Sequence, residues 1–159
     1  MTRQENIAYD FLEGDRIWPP GLAPVSFTKA LQEVLSRIPD DAYYLIADRV
    51  SFVVEDPRIT AVNVPFNRSY PPCTRDHEVR FDTIVVFQKA LTYPHAALVG
   101  LLAHEISHSI VHEDDHLTNE TVADNLVRQW GFSKEQEALT SEHKKAQGGE
   151  GGCHTSDAA

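Results

Sequence analysis

The chain has few cysteines, few basic residues and no long apolar run. Its two cysteines, Cys73 and Cys153, lie far apart in the sequence, which argues against a structural disulfide and favours the reducing cytoplasm. Only 14 Lys and Arg accompany 24 Asp and Glu, so the net charge is −10 and nucleic acid is not an expected partner. No apolar stretch approaches the roughly 18 residues of a membrane span, and residues 1–15 lack the apolar segment of a signal peptide. We therefore expect neither a membrane protein nor a secreted one.

The remaining composition is that of an ordinary globular protein, with 42% hydrophobic residues in a chain of 159. This length is sufficient for one domain with its own core. We expect an N-terminal arm over residues 1–25 and a single domain over residues 26–146. Residues 147–159 are rich in glycine and are expected to form a disordered tail.

Hydrophobic periodicity gives a coarse order of helices and strands. Alternating β-branched and aromatic residues predict strands at 50–55, 59–66 and 79–87. Apolar residues at helical spacing predict helices at 26–38, from the Thr92-Tyr-Pro94 turn to about 112, and at 133–146. A further helix is expected to begin after Thr118 as its N-cap and to end at Gly131. Residues 40–47 fit either a short helix or a strand.

The stretch Leu101-Leu-Ala-His-Glu-Ile-Ser-His108 contains the pattern His-Glu-x-x-His. Two histidines four residues apart project from one face of a helix, so both imidazoles can reach one zinc ion. Glu105 is rotated by about 100° from His104, which excludes it as a third ligand but leaves it close to a metal-bound water. Apolar residues on other faces predict a central helix, in which two bare imidazoles need partners. The alternative is a pair of core histidines bonded only to protein groups.

The third ligand is predicted to come from the next helix, where Glu120 and Asp124 border an apolar stripe one turn apart. Such carboxylates are costly at a core edge unless they meet a cation or hydrogen-bond donors. Glu120 as a ligand, with Asp124 orienting a ligand histidine, satisfies both. An acidic first turn that favours the helix dipole is the alternative. Asp114, ten residues after His104, competes with Glu120, although Val111 stands where enzymes with that spacing have glycine.

Together the two patterns resemble a known group of enzymes. The pattern His104-Glu105-x-x-His108 followed by Asn119-Glu120-Thr-Val-Ala-Asp124 is similar to the gluzincin branch of zinc metallopeptidases, whose thermolysin-type members carry Asn-Glu-x-x-x-Asp after the motif helix. The small size also resembles the minimal zincins of bacteria, over about residues 26–132. Two departures stand out: the link between the motifs is shorter than in thermolysin-type enzymes, and no Gly-x-Met-Glu-Asn segment is present.

This resemblance implies a zincin-like α+β fold with a small, mostly antiparallel sheet packed on the motif helix and the glutamate helix. It implies one zinc ion held by His104, His108 and Glu120, with Asp124 behind a ligand and Glu105 as general base. It also implies an edge strand at 79–87, against which a peptide or protein substrate lies as an added strand.

The expected activity is that of a zinc metalloendopeptidase. Zinc lowers the pKa of its bound water towards about 7, Glu105 takes the proton, and hydroxide attacks the peptide carbonyl. Several side chains are open as the donor to the developing oxyanion: Tyr70, Arg75, His77, Tyr93 and His143. The alternative is a proteolytically inactive zinc-binding regulatory or interaction module with the same fold, which Cys73 would favour if it filled the fourth position on zinc. His77 and His95 are otherwise expected to be surface histidines.

Overall fold

The computed structural model describes residues 1–13, 16–56, 82–111 and 116–148, which form an α+β fold that is mostly helical. Its helices are α1 (Arg3–Ile7), continued by a π-helical turn (Ala8–Leu12), α2 (Val25–Arg37), α3 (Asp40–Arg49), α4 (Gln88–Leu91), α5 (His95–Ile110), α6 (His116–Gln129) and α7 (Ser133–Gly148). Its strands are β1 (Ile17–Trp18), β2 (Val50–Val54) and β3 (Asp82–Val86). The predicted strand at 59–66 and most of the predicted tail lie outside the described residues.

The three strands form one parallel sheet in the order β1-β2-β3. Ile17 lies opposite Phe52, and Phe52 lies opposite Ile84. The prediction of a mostly antiparallel sheet is therefore wrong for these strands. An alternating pattern specifies which side chains face the core, but it is the same whichever way a strand runs. Helices α2 and α3 lie between β1 and β2 in the chain and allow the parallel return.

The hydrophobic core lies on the inner face of this sheet. Phe52 of β2 makes edge-to-face contacts with Phe27 of α2 and Phe11 of the π-helical turn, at centroid distances of 5.9 and 6.2 Å. Ile84 of β3 is buried in the same cluster, whereas Val85 faces outward and is 47% exposed. The first twelve residues therefore pack on the same core as the sheet and α2.

The helix boundaries test the predicted start and stop signals. Gly131 ends α6 with φ of +85°: its N–H donates to the carbonyl of Arg128, and the Phe132 N–H donates to the carbonyl of Val127. This is the predicted glycine termination, because glycine adopts the left-handed conformation without a Cβ penalty. Thr118 as N-cap is wrong, since α6 begins at His116. The ambiguous segment at 40–47 is part of helix α3.

Helix α5 is central, as predicted, and packs against α2, α6, α7 and β3. Its residues Leu98, Leu102 and Ile106 are fully buried. Gly100 faces α7, where an added Cβ would collide with the backbone carbonyl of Glu135. The missing side chain therefore allows α5 and α7 to approach closely.

Arg37 of α2 connects that helix to the turn between α6 and α7. Its guanidinium donates to Glu135 Oε1 at 2.6 Å, to Glu33 Oε1 at 2.8 Å and to the Gly131 carbonyl at 2.8 Å. It also lies 4.0 Å from the centroid of the Phe132 ring. Burial alone would raise the pKa of the Glu135 carboxyl, but the hydrogen bond and positive charge of Arg37 hold that pKa below its ordinary value.

The lowered pKa of Glu135 predicts that this contact weakens in acid. A carboxyl whose pKa is lower in the folded than in the unfolded state stabilises the fold above the unfolded pKa, about 4.3 for Glu, and this contribution is lost as the pH falls through the folded pKa. The free energy of unfolding, measured with urea, should be higher for wild type than for Glu135→Gln. This difference should be constant from neutral pH down to about 5 and shrink below about 4.3. Glu137→Gln, an exposed change on the same helix, is the control. A difference for Glu135→Gln that stays constant in acid would contradict the prediction.

Candidate metal centre

Helices α5 and α6 bring three predicted ligands together. His104 and His108 project from α5 with their Nε2 atoms 3.0 Å apart and their rings nearly perpendicular at 88°. Glu120 of α6 reaches across, placing Oε2 3.3 Å from His104 Nε2 and Oε1 3.3 Å from His108 Nε2. These three side chains form a group whose ligand atoms lie close enough to hold one metal ion.

The spacing of these atoms can be compared with what a tetrahedral metal requires. Two ligand atoms that each lie about 2.0–2.1 Å from zinc, at tetrahedral angles, are about 3.3 Å apart. The two Nε2 atoms are 3.0 Å apart, and each lies 3.3 Å from a different oxygen of the Glu120 carboxylate. These separations are therefore close to those between ligand atoms that share one metal ion.

The far side of each imidazole faces an acceptor. His108 Nδ1 lies 2.7 Å from Asn119 Oδ1, and His104 Nδ1 lies 3.2 Å from Asp124 Oδ1. These acceptors favour the proton on Nδ1 and leave the lone pair on Nε2. Two imidazole lone pairs and the Glu120 carboxylate then converge, and a cation between them relieves their mutual repulsion. The donor set is therefore suited to a metal ion.

The structure also identifies which histidine each supporting residue contacts. Asp124 was predicted to stand behind a ligand histidine, and it faces His104. Asn119 contacts His108, a role not predicted from the sequence, although Asn119 opens the Asn-Glu-x-x-x-Asp pattern. Gln136 of α7 was not predicted to belong to the site; its Nε2 donates to Asp124 Oδ1 at 2.8 Å. No local pattern predicts this contact, because the position of Gln136 opposite Asp124 depends on how α7 packs.

Two cavities adjoin the histidines. A cavity of about 950 Å³ lies between α5, α6 and α7, and His104, Glu105 and Glu120 are among its lining residues. A groove of about 230 Å³ lies between α5 and β3, and Glu105, His108 and Ser109 line its α5 side. Glu105 lines both, so its partly buried carboxylate is accessible to a molecule in either cavity.

Of the other side chains predicted to lie at or near the site, some are described by the structure and others are not. His143 lines the larger cavity, and its ring lies 6.3 Å from that of Tyr93. His95 is exposed, as predicted, and its Nε2 lies 2.7 Å from Glu33 Oε2. The other candidates fall outside the described residues: Asp114, the competing third ligand, Cys73, the competing fourth ligand, and the oxyanion candidates Tyr70, Arg75 and His77.

Fold and site together define an α+β protein with a His-His-Glu group arranged to hold a metal ion. Comparisons with known protein families, with curated proteins and with solved structures find no match to this chain. None of the helices in the described ranges is both long and apolar enough to cross a membrane. A functional proposal therefore depends on the chemistry of the site.

Proposed function

We propose that this protein is a zinc-dependent metallopeptidase of the gluzincin-like, minimal zincin type. The observation that carries the proposal is the convergence of His104 Nε2, His108 Nε2 and the Glu120 carboxylate at 3.0–3.3 Å. Two imidazole nitrogens and one carboxylate are the protein ligands of several catalytic zinc sites.

In this proposal each residue of the site has a separate task. His104, His108 and Glu120 hold the metal, while Asn119 and Asp124 keep the protons on the two Nδ1 atoms. Zinc, when bound, supplies Lewis acidity and lowers the pKa of water towards about 7.

Glu105 carries out the proton transfers. Its carboxylate accepts a proton from the attacking water and delivers it to the leaving nitrogen as the peptide C–N bond breaks. The water oxygen becomes part of the new carboxyl group, and the proton ends on the released amine. Glu105 is suited to this role because it lies between the two ligand histidines in sequence and lines both cavities.

A peptide substrate is supported by the position of β3. Among the strands that the structure describes, β3 is at the edge of the sheet, and it forms one wall of the groove that contains Glu105 and His108. An extended peptide can hydrogen-bond to such an edge as an added strand, which places its carbonyl groups along the groove. Val85 of β3 and Phe87, which directly follows the strand, are 47% and 64% exposed and offer apolar contacts to substrate side chains.

The test combines metal content with hydrolysis. We expect the purified or zinc-reconstituted protein to contain about one zinc per chain by elemental analysis. It should also cleave members of an internally quenched peptide library, with activity removed by a chelator and restored by zinc. Absence of metal even after reconstitution would refute the metal centre and the enzyme together. Bound zinc without hydrolysis of any library member would refute the peptidase and favour an inactive zinc-binding module.

A further inference from the structure

The Asp124 carboxylate connects the metal centre to helix α7. Its Oδ1 atom accepts a hydrogen bond from Gln136 Nε2 at 2.8 Å and lies 3.2 Å from His104 Nδ1. The Asp124 side chain is 43% exposed, whereas the hydrogen bond with Gln136 is partly buried. An aspartate so accessible to water has several available rotamers, and ordering it opposite His104 costs conformational entropy. The bond from Gln136 offsets that cost.

The backbone of Gln136 is held in place by its neighbours. Gly100 of α5 packs directly against the peptide group that joins Glu135 to Gln136, so that even an added Cβ would clash there. The Glu135 side chain is bound by Arg37 at 2.6 Å, and Phe132, one turn earlier, is fully buried. These contacts hold the α7 backbone at and just before Gln136, and its amide therefore presents a preorganised donor to Asp124.

The hydrogen bond to the Asp124 carboxylate explains the orientation of the Gln136 amide. Gln136 Oε1 is buried and has no hydrogen-bond partner within the described part of the chain. An unsatisfied buried acceptor is costly, but rotating the amide would place this oxygen against the Asp124 carboxylate and lose a charge-assisted bond. The amide therefore keeps its hydrogen bond to Asp124 and leaves its own oxygen without a partner in the described part of the chain.

We infer that Gln136 is a positioning residue of the metal centre, through which helix α7 holds Asp124 against His104. The inference rests on the proposed function, because it concerns the affinity of the same site for zinc. Asp124 keeps the proton of His104 on Nδ1 and the lone pair of Nε2 directed towards the metal. Loss of the Gln136 hydrogen bond frees the carboxylate and weakens this orientation, while His108 retains Asn119 as its own partner.

The test is the zinc affinity of Gln136→Met, which has a similar length but no hydrogen-bonding group. Loss of a residue that directly orients a metal ligand lowers metal affinity by about 10–100-fold. Gln136 acts on the ligand His104 through Asp124, so we expect Gln136→Met to lower zinc affinity by about tenfold. The affinity is measured by competition with a chromophoric chelator. Glu137→Gln, which lines the same cavity from the next position on α7, should bind zinc like the wild type.

A second measurement separates positioning from packing. In zinc-loaded protein labelled with 15N-histidine, Gln136→Met should shift the Nδ1 resonance of His104 and leave that of His108 unchanged. Should Gln136→Met fail to fold, Gln136→Glu retains the side-chain shape but sets a carboxylate against Asp124, and it should weaken zinc binding further.

The outcomes are distinguishable. Wild-type affinity in Gln136→Met would overturn the inference alone, since the wild-type protein would still bind zinc. Equal shifts of both histidine resonances, together with a lower thermal midpoint of the metal-free protein, would indicate a general repacking of α7. That result would also overturn the inference. A wild-type protein that binds no zinc would overturn the proposed function, and the inference with it.

Discussion

Glu105→Gln is expected to retain zinc and to lose peptide hydrolysis by about 10²–10⁴-fold, the contribution of a positioned general base. Glutamine has the size of glutamate but no carboxylate to accept a proton. Glu105 does not belong to the group of His104, His108 and Glu120, so the substitution leaves the metal ligands unchanged. The loss should appear in kcat, because the proton transfer belongs to the chemical step and not to substrate binding. Steady-state kinetics on the most rapidly cleaved library peptide, with elemental analysis of the same sample, measures both quantities.

Glu137→Gln is the matched control for this comparison. Glu137 also lines the larger cavity, but from α7, and its removal changes the charge there by the same amount. It should hydrolyse the peptide at the wild-type rate. Activity of Glu105→Gln within about tenfold of wild type would exclude Glu105 as general base, because a base in that role contributes at least about 10²-fold.

His108→Ala should lose the stabilisation that zinc gives to the wild-type protein. A ligand that binds only the folded state, at about 100 times its dissociation constant, stabilises that state by about 2.7 kcal/mol. For a chain of 159 residues this corresponds to a rise of about 5–11 °C in thermal midpoint. His108→Ala should show almost none of this rise, because it removes one of the three converging atoms. Differential scanning calorimetry with and without zinc measures it.

His95→Ala is the control for nonspecific binding of zinc to histidine. His95 lies on the same helix but is exposed and pairs with Glu33, so its removal should leave the zinc-dependent rise unchanged. A full rise in His108→Ala would contradict the proposed ligand set. Glu120→Ala decides the third ligand in the same experiment: an unchanged rise would exclude Glu120 and favour the competitor Asp114.

The sequence predicted those parts of the site that depend on local geometry. His104 and His108 share a face because residues four apart lie one above the other on any α-helix. Asp124 falls one turn after Glu120 for the same reason, and both therefore border the same side of α6. Gly131 ends α6 because only a few residues, glycine above all, adopt positive φ readily.

Other features depend on contacts between segments distant in the chain. The helical state of residues 40–49 accompanies the burial of Tyr43, whose hydroxyl donates to Asp10 Oδ2 at 2.7 Å across 33 positions of sequence. The alternation in β2 and β3 indicated which side chains face the core but not that the strands are parallel.

The sequence by itself determined the helix that carries His104, Glu105 and His108, and the spacing that sets a carboxylate pair on the next helix. Only the tertiary structure decided that Asp124 faces His104 and that Gln136 supports Asp124. The physical reason is the range of the interactions. An α-helix has 3.6 residues per turn, so residues close together in the sequence determine which side chains share a face. The docking of α7 depends on close packing at Gly100 and on the Arg37 contacts, which join residues remote from one another in the sequence.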